Sequence, residues 1–512
     1  MGWIIRPGKP KASLTLTSKE WTPPRRITSL RYGAKDGGPV LAAEHFDVVI
    51  VGAGLSGVGS AWHLQKRLPK KTYVILESRH AIGGTWDLFR YPGIRSDSDM
   101  YTLGYNFKPW PGAKAIADGP SIRDYVTATA RENGIDRHIR FHHRVVAADW
   151  SAKDSRWTVT AEQGPDKQLS VFTCSFLMMC SGYYNYDRGY TPEFAGRDDF
   201  NGTIIHPQFW PEDLDHSGKK VVVIGSGATA VTIVPEMAKT AEHVTMLQRS
   251  PSYVVSRPSE DRIANWLKTW MPAKWAYGLT RWKNVLLQQV LYRRSRTRPD
   301  AVRKLLADMA QKELGPDYPV NVHFNPKYNP WDQRMCLIPD SDLFNEIKAG
   351  HASVVTDTVD RFTETGIRLS SGKELPADIV VTATGLDLVF LGGTKVSMDG
   401  APVDMSKRLT YKGMMYEGVP NLISIFGYTN ASWTLKCDLT CEFTCRIIAR
   451  MDKLGAKSAT PKASSGDIGQ SPWPDFSSGY VQRTIDRFPK QGERKPWRLN
   501  QNYTADVMML RY

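Results

Sequence analysis

The stretch Asp47-Val-Val-Ile-Val51-Gly52-Ala53-Gly54-Leu55-Ser56-Gly57 decides the fold. Its opening apolar run predicts a buried strand. The glycines follow at once, and Val58-Gly-Ser-Ala-Trp-His-Leu-Gln-Lys-Arg67 then reads as a helix. G-x-G-x-x-G between a strand and a helix is a dinucleotide-binding fingerprint. Gly52 permits the tight turn, Gly54 lets a pyrophosphate approach the backbone, and Gly57 lets the helix pack closely on the strand. The helix start, with Ser56 in its first turn, offers N–H groups and positive partial charge to the pyrophosphate. The next strand ends in Glu77, 20 residues past Gly57. A carboxylate there suits ribose hydroxyls and repels a 2′-phosphate. The first site is therefore read as one for NAD or FAD.

Val221-Val-Val-Ile224 runs into a second such turn, Gly225-Ser226-Gly227-Ala228-Thr229-Ala230, followed by Val231. The small Ala230 in the third place still allows close packing. The following strand ends in Gln248-Arg249-Ser250, where an NAD site would carry an acid. Arg249 supplies a guanidinium shaped for bidentate phosphate contact, and Ser250 adds a hydroxyl. The second site is read as one for NADPH. Two nucleotide sites in one chain imply electron transfer from a nicotinamide to a flavin. Strands alternating with helices predict an α/β fold of two Rossmann-like domains with parallel sheets.

Composition narrows the classes. The 512 residues are 41% apolar and 23% charged, near the globular average. No run is long and apolar enough for a transmembrane helix, and the N-terminus lacks a secretory apolar block. The six cysteines include no C-x-x-C pair, so zinc ribbons and thioredoxin-like pairs are not supported and no metal site is expected. A disulfide reductase would need a cysteine pair beside the flavin, and none follows Glu77. The thiols are read as packed in a reducing cytosol. The net charge of +15 is uneven. Residues 1–46 carry eight Lys/Arg against three acids, and residues 261–313 carry twelve against four. The rest of the chain is nearly balanced, which argues against a nucleic-acid-coating protein.

Further motifs carry a family resemblance. Gly83-Gly84-Thr85-Trp86 is similar to the G-G-x-W that follows FAD-type fingerprints in flavoprotein monooxygenases. Phe200-Asn-Gly202-Thr-Ile-Ile-His206-Pro-Gln-Phe-Trp210-Pro211 matches F-x-G-x-x-x-H-x-x-x-W-P, placed just before the second glycine turn. That motif identifies the chain as resembling class B flavoprotein monooxygenases of the Baeyer–Villiger family, of the bacterial ethionamide-activating type. Heteroatom-oxidising relatives usually end this motif differently. Phe89–Tyr101, Ala383-Thr384-Gly385 and Trp497–Tyr503 extend the resemblance, which spans about Phe46 to Tyr503.

The resemblance implies FAD and NADPH as cofactors. It implies reduction of FAD by NADPH, addition of O₂ at the flavin C4a carbon, and attack of the peroxyflavin on a ketone to give an ester or lactone. Sulfide or thioamide oxidation is an accompanying activity. Arg334 matches the family's active-site arginine, a permanently charged donor for oxyanions. Asp97 matches the acid that holds this arginine beside the flavin. Arg95, Ser96, Asp97, Thr85, Trp86, Asp87, Leu88 and Val145 are the further cofactor contacts it implies. His206 is read as a domain-coupling residue rather than a proton carrier. Gln333 departs from the family, where a lysine commonly contacts the 2′-phosphate.

Residues 1–45, rich in Pro, Gly, Ser, Thr and Lys/Arg, read as a basic, mobile extension outside the resemblance, which implies an FAD domain over 46–185 and 375–512 and an NADPH domain over 186–374. Within the last, 261–313 is a helical insert rich in Trp, Lys and Arg. Two readings of it stand: a wall of the substrate cavity with a solvated basic face, or a contact with an anionic membrane. Residues 455–475 read as a surface loop. The expected location is the cytoplasm, with or without peripheral membrane contact. Small-molecule ketone or sulfide and O₂ are the expected partners, and nucleic acid is not. Two rivals remain: a heteroatom monooxygenase, and a membrane-associated flavin-binding protein without turnover.

Overall fold

The computed structural model describes residues 13–17, 43–463, 469–473 and 477–511. Glu44–Val51 lies inside a nine-stranded sheet. It pairs in parallel with Tyr73–Leu76 on one side and Gln168–Met179 on the other. Leu422–Ser424 adds in parallel to Gln168–Met179. His143–Ser151, Arg156–Gln163 and Gln168–Met179 form an antiparallel run beyond. Side chains alternate between two cores. Val48, Ile50, Ile75 and Met178 face one; Val49, Val51, Val74 and Met179 face the other. Cover on both faces explains why these strands are unbroken apolar runs.

The second sheet is all parallel. Its order is Ala352–Thr356, His243–Gln248, Lys220–Ile224, Ile379–Thr382 and Thr203–Ile205. A mixed sheet with a parallel centre and an all-parallel sheet, each with a glycine turn at a strand's carboxyl end, make this the expected α/β fold of two Rossmann-like domains. The boundary read at 374/375 is displaced, because Ile379–Thr382 pairs with Lys220–Ile224. All four of its residues are buried, which requires cover on both faces.

Two loop readings are corrected. Within 1–45, Ser13–Thr17 forms a strand antiparallel to Ser458–Lys462, and Glu44 opens the first sheet. Residues 1–12 and 18–42 lie outside the described residues. Within 455–475, Ser458–Lys462 and Gln470–Pro472 are strands, the latter paired with Lys490–Gly492. Backbone pairing supplied by distant segments overrides a polar, Pro-rich composition here.

The insert forms three helices, Arg262–Trp270, Ala273–Thr297 and Pro299–Leu314. Asp261 caps the first through Ala264 N at 3.0 Å, and Pro299 opens the third, where its missing N–H costs nothing. Arg281 fastens the middle helix to the first domain. Its guanidinium is buried, donates to the carbonyls of Tyr101 (2.9 Å) and Gly104 (2.8 Å), and lies 3.4 Å from Asp438. The Asp438 carboxylate also meets His63 and the backbone N–H of Asn106. Removing one partner of a buried pair leaves the other charge uncompensated, at about 3–5 kcal/mol. Arg281→Met is expected to destabilise the protein by about 3 kcal/mol. Urea unfolding followed by tryptophan fluorescence checks this; an unchanged midpoint would show that the pair does not fasten the insert.

Candidate active site

Both glycine turns open into one cavity of about 1210 Å³ at the carboxyl ends of the two sheets. Ligands of open α/β sheets bind at such strand ends. Gly52 has φ +103°, and a Cβ there would meet the Cys180 carbonyl oxygen at 2.7 Å. A Cβ on Gly57 would lie 1.8 Å from the Gly52 carbonyl oxygen, so only glycine lets this helix seat against the turn. In the second turn, a Cβ on Gly227 would meet nothing within 4 Å. Its backbone therefore faces open space that a ligand can approach. These cradles fit the two dinucleotides that the sequence implies.

Glu77 is buried at the cavity wall and organises the first turn. Its Oε2 accepts from Ala53 N at 2.6 Å, and its Oε1 accepts from Arg79 N at 2.9 Å. Gly83 N donates to the Ala53 carbonyl at 3.2 Å, which brings the Gly83-Gly84-Thr85-Trp86 segment over the turn. Ser56 Oγ accepts from Trp433 Nε1 at 2.7 Å, closing one side. In the second turn Ser226 Oγ donates to the Ser250 carbonyl at 3.0 Å, which ties the turn to the neighbouring strand end. Arg249 and Ser250 are exposed and line the cavity.

Asp97 and Arg334 meet where the two halves converge. Arg334 Nη2 donates to Asp97 Oδ1 at 2.9 Å, and Arg334 Nε lies 2.7 Å from Asp97 Oδ2. This two-point fork fixes the guanidinium plane. The side chains remain 35% and 26% exposed, so both face the cavity rather than the core. Asp97 is the leading cause that raises the Arg334 pKa above its already high ordinary value. Arg334 is a fixed cation at any pH the fold survives. The adjacent Asp99, not Asp97, caps the short helix Met100–Leu103 through Thr102 N at 3.0 Å. Asp97 is thereby left for Arg334.

Gly52, Gly54, Ser56, Glu77, Thr85, Trp86, Arg95, Ser96, Asp97 and Val145 line the cavity, as do Gly225 to Thr229, Arg249, Ser250, Gln333 and Arg334. Arg95 also reaches Asp342 at 2.5 Å, joining the first domain to the second. Gly57, Asp87, Leu88, Ala230 and Val231, also expected at the cofactors, are buried and do not line the cavity. Asp87 instead pairs with Arg79 and Arg90, at 2.6 Å each. His206 lies outside the cavity. Its Nε2 is 3.3 Å from the Gly385 carbonyl oxygen, its Nδ1 accepts from Gln208 N at 3.2 Å, and burial lowers its pKa. It packs so closely on Gly189 that a Cβ there would sit 1.9 Å from its ring. This position suits the domain-coupling role.

Sequence reasoning missed an aromatic wall. Tyr183, Tyr184 and Tyr480 line the cavity around Arg334, and Trp433 stacks on Tyr183 with ring centroids 5.3 Å apart. Burial lifts the Tyr184 hydroxyl to about 12 and keeps all three phenols protonated. Arg483 was also missed. Its guanidinium stacks on the Tyr190 ring, 3.4 Å from the centroid. Burial and the like charge of Arg249 both lower its pKa, so the two cations face the same region.

The geometry agrees with the comparisons. The flavin-binding monooxygenase-like family matches residues 116–410, and an NAD(P)-binding Rossmann-like domain matches residues 50–109. The chain is 57% identical over 469 residues to the FAD-containing monooxygenase EthA of Mycobacterium tuberculosis, covering 91% of this chain and 96% of that protein. The chain belongs to the flavin-binding monooxygenase-like family. The resemblance to class B flavoprotein monooxygenases is borne out at that level.

Solved structures support the family's fold. A cyclohexanone monooxygenase in an open form matches with a TM-score of 0.70 at 18% identity, over 86% of this chain and 92% of that one. An oxidised steroid monooxygenase bound to NADP matches with a TM-score of 0.68 at 22% identity, over 86% and 89%. Gln333, where family members commonly carry a lysine, shares the cavity with Arg483. Arg483 enters it from the segment after Gly479–Gln482.

Proposed function

We propose that the chain is an FAD- and NADPH-dependent monooxygenase that inserts one oxygen atom of O₂ into ketones, giving esters or lactones. The Asp97–Arg334 fork, facing the cavity that both glycine turns share, carries this reading. FAD belongs at the first turn, where Glu77 suits ribose hydroxyls, and NADPH at the second. FAD bound there would supply the oxygen-activating chemistry, and NADPH the reducing equivalents.

The chain's own residues do the rest. Arg334 aims N–H donors at the point where the ketone oxygen gathers negative charge as its carbon is attacked. Such a preoriented cation needs no reorganisation when the charge develops. Asp97 holds the guanidinium plane and is a positioning residue. Tyr183, Tyr184, Tyr480 and Trp433 supply an aromatic wall that limits water around Arg334. Oxygenation of a sulfide or thioamide at the same site is the second reading. The substrate atom then develops no oxyanion at a carbonyl, so this chemistry leans less on Arg334.

Arg334→Ala is expected to retain FAD and lower ester formation about 10²- to 10³-fold, the usual loss for one oxyanion donor. Product analysis by mass spectrometry with a ketone panel, and in parallel with a sulfide, measures it. Ester formation at the normal rate in Arg334→Ala would overturn the assignment. Sulfoxide without ester from the unaltered protein would favour the second reading. A protein that oxidises no NADPH in the presence of any substrate would favour flavin binding without turnover.

Arg249 and Arg483 are assigned to the NADPH 2′-phosphate. Arg249→Ala is expected to raise the NADPH KM about 10- to 100-fold, the range for a lost charge-assisted contact. Arg483→Ala changes it in the same direction, by less. The NADH KM stays within about twofold in both. Equal losses with NADPH and NADH would remove the phosphate assignment.

A further inference from the structure

The helix Ala273–Thr297 is turned inside out. Against the protein it buries Ala276, Tyr277, Thr280, Arg281, Val285 and Ser295, of which Val285 is the one aliphatic side chain larger than alanine. Outward it shows Trp275, Leu279, Trp282, Leu286 and Val290, spaced by three or four residues and therefore on one face. Trp275 is 70% exposed and Val290 62%. The stripe runs about 22 Å at the helical rise of 1.5 Å per residue. The preceding helix Arg262–Trp270 continues it with Ile263, Trp266 at 61% and Trp270 at 58% exposure. Single exposed apolar residues are ordinary, but an aligned set of this size marks a contact surface. The surface is not a wall of the active-site cavity, since none of residues 261–313 lines it. That expectation is corrected.

Charge selects the occupant. Residues 262–299 hold nine Lys/Arg and no Asp or Glu. Lys268, Arg281, Lys283 and Arg296 are engaged with Gly112, Asp438, Asp261 and Asp332. Arg262, Lys274, Arg293, Arg294 and Arg298 are exposed, and none has an ion-pair partner among the described residues. A second copy offering the same face would bring only like charges. An anionic surface answers both the cations and the apolar stripe. Tryptophan favours the headgroup level, where its ring is buried and its N–H stays wet, and arginines beside it gain from anionic lipid. Among the described residues no helix is long and apolar enough to cross a membrane. The contact is therefore one that lies on the surface.

We infer that the helices Arg262–Trp270 and Ala273–Thr297 dock the protein on the surface of an anionic lipid bilayer, with Trp266, Trp270, Trp275 and Trp282 set into the headgroup layer. The full-length holoenzyme is sedimented with vesicles of phosphatidylglycerol and phosphatidylcholine, and with phosphatidylcholine alone, at low and high salt. Two variants are compared: Trp270→Ser with Trp275→Ser, and Arg293→Glu with Arg294→Glu. Flavin absorbance and far-ultraviolet circular dichroism confirm their folding independently of turnover. The unaltered protein is expected to pellet with the anionic vesicles, weakly at high salt and not with neutral ones. Each variant is expected to bind about tenfold more weakly. Failure to bind anionic vesicles overturns the inference. So does undiminished binding by both variants, which would place the contact elsewhere on the chain. Light scattering that shows a dimer, split by the tryptophan variant, in a protein that ignores vesicles also overturns it. The readout is binding, so the result stands apart from the ketone chemistry proposed above.

Discussion

The fork between Asp97 and Arg334 is the constraint around which the active site is built. The two residues are 237 positions apart and come from the two domains. A bidentate carboxylate–guanidinium contact has a narrow range of geometry, so it fixes the approach of one sheet's strand ends to the other's. The Arg95–Asp342 pair repeats the linkage a few residues away. Neither pair is fully withdrawn from water, so their value as net stability is modest. Their value lies in orientation. They keep the first glycine turn, the second glycine turn and Arg334 open to the same space.

Orientation needs something rigid behind it, and the glycines provide that. Gly57 packs its helix against the turn without a side chain between them. Gly225, at φ +145°, seats the second turn against the neighbouring strand end, where a Cβ would lie 2.3 Å from the Ala383 carbonyl oxygen. Ala383 follows the strand Ile379–Thr382, so the strand that displaced the domain boundary also backs the second nucleotide turn. The domain boundary and the cofactor site are thus one packing problem.

Local chemistry was readable from sequence, and assembly over distance was not. Each glycine turn, Glu77 and Arg249 sit within one strand–turn–helix unit, where spacing along the chain is spacing in the fold. Tyr183, Trp433, Tyr480 and Arg483 share no spacing with these turns, yet they complete the same cavity. Asp87 shows the converse. It follows Trp86 directly, but its carboxylate turns inward to Arg79 and Arg90. Neighbours in sequence on a short helix point to different sides, so adjacent residues need not share one surface.

The helical insert shows why hydrophobic pattern alone misassigns a face. Periodicity marks one side of Ala273–Thr297 as strongly apolar, and the usual inference sends that side to the core. The protein already satisfies the helix from its other side. Arg281 is committed to three backbone carbonyls and Asp438, and Tyr277 donates to the Tyr105 carbonyl at 3.0 Å. A buried guanidinium with that many acceptors cannot be rotated outward without leaving them unpaired. The polar face is therefore held in and the tryptophan face held out. The uneven charge follows the same division: the acid that neutralises Arg281 belongs to the first domain, while the outward Lys274, Arg293, Arg294 and Arg298 have no ion-pair partner among the described residues. The anchor that fixes the insert to the enzyme is also what keeps its apolar side facing away.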